Sequence, residues 1–197
     1  MKLRLLFPVL AAAGLLGQPI DQGRRDFLLS ALHADRKTYL DSVAGLSEAQ
    51  WKFKPAPDRW SIAEIAEHVI LTEDMLFGLE QKTLEAPAVA QPKSDPAADQ
   101  AVLAGMTDRS HKAKNPPETG PTGQFATPRD AAQAFKERRA KTLDYARTTQ
   151  DPLRAHAITT GFGQTDCYQI LLMIAGHGDR HVAQINEVKA DAQYPGK

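Results

Sequence analysis

Four stretches of the chain carry apolar residues at helical spacing. Between Asp21 and Leu46, the residues Leu28, Leu32, Tyr39, Val43 and Leu46 recur at threes, fours and one seven, the pattern of a stripe buried along one side of a helix. Pro55 and Pro57 then break the chain. Ser61 followed by Glu64 forms a capping box that opens a second helix, with Trp60 placed to pack on Ile65 as a hydrophobic staple. Ile62, Ile65, Val69, Leu76 and Leu79 carry its stripe to about Leu84. A third helix starts at Thr127 with Pro128 in its first turn, and Ala131, Ala134, Phe135, Leu143 and Ala146 line its inner face before Pro152 ends the region. The fourth runs from about Asp166 to Ala190, with Ile170, Ile174, Ile185 and Val188 on one face.

The segment 86–126 differs. It holds six of the 13 prolines and few large apolar residues, so beyond a short helix over Ala97–Met106 it reads as a long surface connection. Gly161-Phe162-Gly163 reads as a turn; it lacks the full pattern of a phosphate-cradling loop. No alternating strand pattern and no repeat is visible. The expected fold is therefore all-α: a four-helix bundle over residues 21–190, with the connection 86–126 as a crossover between helices two and three.

A length of 197 residues with 42% hydrophobic content suits one domain with a full core. The 24 basic and 24 acidic residues balance, and no run of Lys and Arg points to nucleic acid. The first 17 residues have the order of a secretory signal: Lys2 and Arg4, an apolar run Leu5–Leu16, and small residues at Ala11–Ala13, with cleavage before Gly14 or after Gly17. The run, of roughly 12 residues, is short for a bilayer span, so the expectation is export to the periplasm or outside without a stable membrane anchor; the alternative is an uncleaved N-terminal helix. The single cysteine, Cys167, forms no internal disulfide and reads as a small core residue.

Three histidines change the picture. His177 and His181 lie four apart, one turn along the same face of helix four, and that face is otherwise apolar. His68 lies on the inner side of helix two. Imidazoles on an apolar face need polar partners, and a divalent ion bound by His68, His177 and His181 supplies one; hydrogen-bonded core histidines are the competing reading. Three neutral ligands leave the ion's double charge undiminished and positions open, which suits lowering the pKa of bound water towards ~7. Zinc is the first expectation and nickel the second. Glu64, one turn before His68, is the candidate general base, although its capping role suffices to explain it. Thr72 and Gln184 are candidates to orient the ligands. Loop or surface roles suffice for His33, His111 and His156, and no serine lies in a nucleophile-elbow pattern.

These residues resemble a known family. Leu46-Ser-Glu-Ala-Gln-Trp51 and Pro55-Ala-Pro-Asp-Arg-Trp60-Ser61-Ile-Ala-Glu64-Ile-Ala-Glu-His68 look like the first signature of the DinB-like superfamily, and Gly161-Phe-Gly163 with His177-Gly-Asp-Arg180-His181-Val-Ala-Gln184-Ile185 looks like its last. The resemblance implies a four-helix bundle with a crossover, a divalent-metal site on His68, His177 and His181, and homodimers formed through helix faces. It also implies one of three activities on an unknown small-molecule substrate: a metal-dependent hydrolase, a non-catalytic binding bundle, or a thiol-dependent transferase. The export signal weighs against the last, since the thiols concerned are mainly intracellular.

Overall fold

Four long helices carry the structure, a computed structural model that describes residues 17–89, 96–110 and 115–196. The leader-like run Leu5–Leu16 and His111 lie outside the described residues. The helices begin where their caps dictate. Asp21 accepts from Arg24 N–H to start α1 (Gln22–Val43). After a short α2 (Glu48–Lys52), the Ser61–Glu64 capping box starts α3 (Ile62–Leu84). A helix α4 (Pro96–Thr107) and a single 3-10 turn at Pro117–Thr119 lie in the connection, and Thr127 caps α5 (Pro128–Thr148). Asp166 caps α6 (Cys167–Lys189) through Gln169 N–H. At Gly45 the backbone takes a positive φ of 67°, which ends the first helical region before Leu46.

One expectation is corrected. The segment before α6 is not merely a turn: β1 (Ala157–Thr160) and β2 (Gly163–Asp166) pair antiparallel around Gly161-Phe162, with Thr160 opposite Gly163. The fold is mostly helical rather than all-α. Four-residue strands rich in Thr and Gln show no apolar alternation, which is why the pattern hides them.

α6 is the central element, buried on nearly all sides from Thr165 to Gly178. It packs against α1, α3 and α4, while α5 packs against α1 and α3. Pairs at two levels show that α3 and α5 run side by side in the same sense: Glu73 with Arg139 and Glu80 with Tyr145. The core falls into two clusters. One gathers Leu28, Leu32, Leu143, Ile170 and Leu171; the other gathers Tyr39, Trp51, Ile65, Phe135 and Ile185. Cys167 lies fully buried in the first, as a small core residue. No helix among the described residues is long and apolar enough to cross a membrane.

Candidate metal centre

The start of α3 at Ser61 places His68 on the face that meets α6, between Ile65 and Thr72. The start of α6 at Asp166 brings His177 and His181 to the same level from the other side. All three are buried, at 4%, 9% and 7% exposure, and their ring centroids lie 4.3 to 5.0 Å apart. One ring nitrogen of each lies within 4.8 Å of the others.

Hydrogen bonds decide which nitrogens point inward. His68 Nδ1 lies 2.8 Å from the carbonyl oxygen of Thr119, and His181 Nδ1 lies 2.8 Å from Oε1 of Gln184. Both partners accept, so each Nδ1 carries the proton and each Nε2 keeps its lone pair. His177 Nε2 stands 3.2 Å from His68 Nε2. That is close to the roughly 3.3 Å between neighbouring ligands of a tetrahedral ion with bonds of ~2.0–2.1 Å. Thr72 Oγ1 adds a longer contact of 3.5 Å to His68 Nδ1.

Electrostatics keep the trio neutral. Burial holds His177 well below its ordinary 6.5, and His181, His68 and Arg180 push it further down. Burial, then His68, takes His181 down to about 3, against the raising effect of Gln184. His68 is also lowered by burial, partly offset by Thr119. Neutral imidazoles, two of them with the tautomer set by an acceptor on Nδ1, are what a borderline-soft divalent ion requires. The donor set fits such an ion.

The trio lies on the wall of a cavity of about 740 Å³ built by α3, α4, α6, the segment around Asn115 and the hairpin tip. Trp60 covers one side of His68, centroid to centroid 4.9 Å. Thr72 and Gln184 line the cavity. Glu64 does not. Its carboxylate accepts from Ser61 N–H at 2.7 Å and from Lys54 at 2.9 Å, and it is not among the cavity's lining residues. Burial raises the Glu64 carboxyl, but the Ser61 and Lys54 hydrogen bonds outweigh it and leave it below the ordinary range. His156 donates through Nδ1 to the Ala86 carbonyl, and His33 is exposed on α1.

The structure adds residues that carry no sequence signal. Glu67, the neighbour of His68, accepts four hydrogen bonds of 2.7 to 3.0 Å from Thr122, Gly123 and Gln124. Gly123 takes a positive φ of 85° to present its N–H. This clamp fixes the loop that carries the Thr119 carbonyl onto His68. A backbone carbonyl has no side-chain signature, so no sequence pattern announces it.

A mostly helical bundle with three buried, proton-poor imidazoles converging beside an open cavity is a bundle protein with an inward histidine centre. The DinB superfamily model matches residues 31–185, and the chain belongs to that superfamily. Among solved structures it is similar to YfiT from Bacillus subtilis, with a TM-score of 0.59 and 13% identity over 89% of this chain and 91% of that one. YfiT is described as "a probable metal-dependent hydrolase with an unusual four-helix bundle topology". At that identity the likeness speaks for the fold. No curated protein sequence matches the chain.

Proposed function

We propose that the protein is a metal-dependent hydrolase that holds a divalent ion, zinc before nickel, on Nε2 of His68, His177 and His181. The observation that carries this reading is the pair of Nδ1–H donations, His68 to Thr119 and His181 to Gln184, which leave both Nε2 atoms as acceptors within a trio whose ring nitrogens lie within 4.8 Å of one another. The description of YfiT supports it. When bound, the ion would supply Lewis-acid activation of water and of a substrate oxygen. The chain's own residues do the rest. Thr119 and Gln184 orient two rings, Trp60 shields His68 from bulk water, and Glu67 holds the loop on which Thr119 depends. Glu64 keeps its capping role, and its hydrogen bonds give it no share in this reading.

The reading extends to an exported protein acting on a small molecule, with 86–126 as a crossover, which the shared sense of α3 and α5 supports. The balanced charge supports the absence of a nucleic-acid partner.

Elemental analysis of the purified protein, paired with turnover on a panel of chromogenic esters and phosphoesters, tests the proposal. The expected result is about one ion per chain, with both metal and turnover lost in His177→Ala. Protein without metal under saturating zinc and nickel, or a metal-free variant with undiminished turnover, would overturn it.

A further inference from the structure

At the C-terminal end of α3, Glu80, Tyr145, Thr149 and Asp151 bring their oxygens closer together than two hydroxyl protons allow. Glu80 sits about 18 Å along the helix from His68 and is fully buried. Tyr145 of α5 packs its ring edge-on against Phe77, with 5.4 Å between centroids, and its hydroxyl lies 2.9 Å from Glu80 Oε1. The same hydroxyl lies 2.8 Å from Oδ2 of Asp151, in the turn that follows α5. Thr149 Oγ1 lies 2.7 Å from that same carboxylate oxygen.

Three oxygen–oxygen contacts of hydrogen-bond length need three protons. Tyr145 and Thr149 bring one each. Ionised carboxylates bring none, so one of the two carboxyl groups carries the third. Burial decides which. Asp151 is half-buried, and its Oδ2 already accepts from Thr149. Glu80 is sealed from water, and its Oε2 accepts from Gln81 Nε2 at 2.7 Å, which leaves Oε1 to hold the proton. Glu80 then donates to Tyr145, and Tyr145 and Thr149 both donate to Asp151.

The charged groups of the other packed elements are committed elsewhere. Arg25 of α1 donates to the carbonyls of Ala146 and Thr149 at 2.6 and 2.9 Å. From α6, Cys167 places Sγ 3.7 Å from the Glu80 carbonyl, and the Asp166 carboxylate accepts from Arg154 at 2.8 Å. His156, just before β1, donates to the Ala86 carbonyl. Burial lifts the Glu80 carboxyl from its ordinary 4.5 to about 7; the Gln81 and Tyr145 hydrogen bonds oppose the rise and the Asp151 charge adds to it. Between those values the folded chain holds a proton that the unfolded chain has released. Stability from this group is therefore full below about pH 4.5 and lost as pH rises through about 7. Ionised, Glu80 and Asp151 would face each other across a phenol with a single proton to share, an arrangement of like charges that burial makes costly.

We propose that Glu80, Tyr145 and Asp151 form a proton-operated latch: with Glu80 protonated it ties the end of α3 to the end of α5 and the turn at 149–151, and with Glu80 ionised this end of the bundle loosens while the histidine centre keeps its packing. The latch needs no metal and stands apart from the hydrolase reading.

Amide hydrogen exchange of the full-length protein, read by mass spectrometry between pH 6 and 8 and corrected for the intrinsic rate, tests it. Peptides covering 80–86 and 145–151 should lose protection by about tenfold per pH unit above about 7, while those covering 62–72 and 177–185 keep theirs. In Glu80→Gln the side-chain amide donates to Tyr145 as the neutral acid does, so protection should stay high and level across the range. Asp35→Asn removes another buried carboxyl lifted to about 7 and should leave the loss at 80–86 and 145–151 in place. Protection in the wild type that ignores pH, or a loss that persists in Glu80→Gln, overturns the latch. An equal loss in the histidine peptides overturns it too, since the whole bundle would then be opening. Should Glu80→Gln fail to fold, infrared spectra of Asp35→Asn decide the matter: a buried carboxylic-acid band present at pH 6 and gone by pH 8 supports the latch, and its absence at pH 6 overturns it.

Discussion

Two buried polar clusters lie back to back on α6, and they behave in opposite ways. His177 faces the cavity with His68 and His181. Gly178, the next residue, faces α1, where Asp35, Glu73 and Arg139 meet. Arg139 is fully buried and makes a bidentate pair with Glu73 at 2.9 and 3.0 Å, a hydrogen bond to the Leu32 carbonyl at 2.9 Å and an ion pair with Asp35 at 2.5 Å. Thr142 donates to Glu73 at 2.7 Å. One guanidinium serves two carboxylates, and none of the three residues lines the cavity beside the histidines. The histidines present the reverse: His68 and His181 spend their protons on Thr119 and Gln184, which leaves each Nε2 an acceptor, and open volume lies alongside. Convergence of polar groups does not by itself make a site. An ion-paired cluster away from the cavity holds helices together, whereas acceptor nitrogens beside open volume leave room for a ligand.

His177→Ala gives the sharpest contrast. It should abolish metal retention in elemental analysis while shifting the stability of the metal-free protein by no more than about 1–2 kcal/mol in urea, since a neutral base beside a cavity is removed. Arg139→Leu should do the opposite, retaining the histidine trio but lowering stability by about 3–5 kcal/mol because two carboxylates lose their buried partner. Equal stability losses in the two variants would erase the distinction. Gln184→Ala should weaken metal affinity about 10–100-fold in competition with a chelator, because it orients His181 without ligating. Gly178→Ala should cost about 1–3 kcal/mol, since a Cβ there would lie 2.0 Å from Asp35 Oδ1.

The smallest expected effect is a pH slope. Burial lifts the Asp35 carboxyl from its ordinary 3.8 to about 7, opposed by Arg139 and aided by Asp179 and Glu73. Between those values the folded chain holds a proton that the unfolded chain has released. Stability from this group is therefore full below about pH 4 and lost as pH rises towards 7. Asp35→Asn should flatten that part of a stability–pH profile, and an unchanged slope would assign it elsewhere.

The histidine trio was readable before any coordinates because each member sits on a face whose other residues are apolar. The capping box at Ser61 was readable too, as were helix starts at Thr127 and about Asp166. Other features left no trace. Asp35, Glu73 and Arg139 look like ordinary polar positions until α1, α3 and α5 meet around them. The hairpin at 157–166 is too short and too polar for its alternation to show. Glu64 stood close enough to His68 in sequence to suggest catalysis, yet its hydrogen bonds commit it to the start of α3.

By itself the amino-acid order determined where the long helices begin and which faces they bury, three imidazoles among them, since caps and 3.6-residue periodicity act over neighbouring residues. Only the tertiary structure decided which nitrogen of His68 faces inward, that Arg139 is paired and sealed, and that one cavity adjoins all three histidines. Those outcomes depend on partners 50 to 100 residues away, such as Thr119 for His68 and Glu73 for Arg139, and such pairings exist only once the chain has closed on itself.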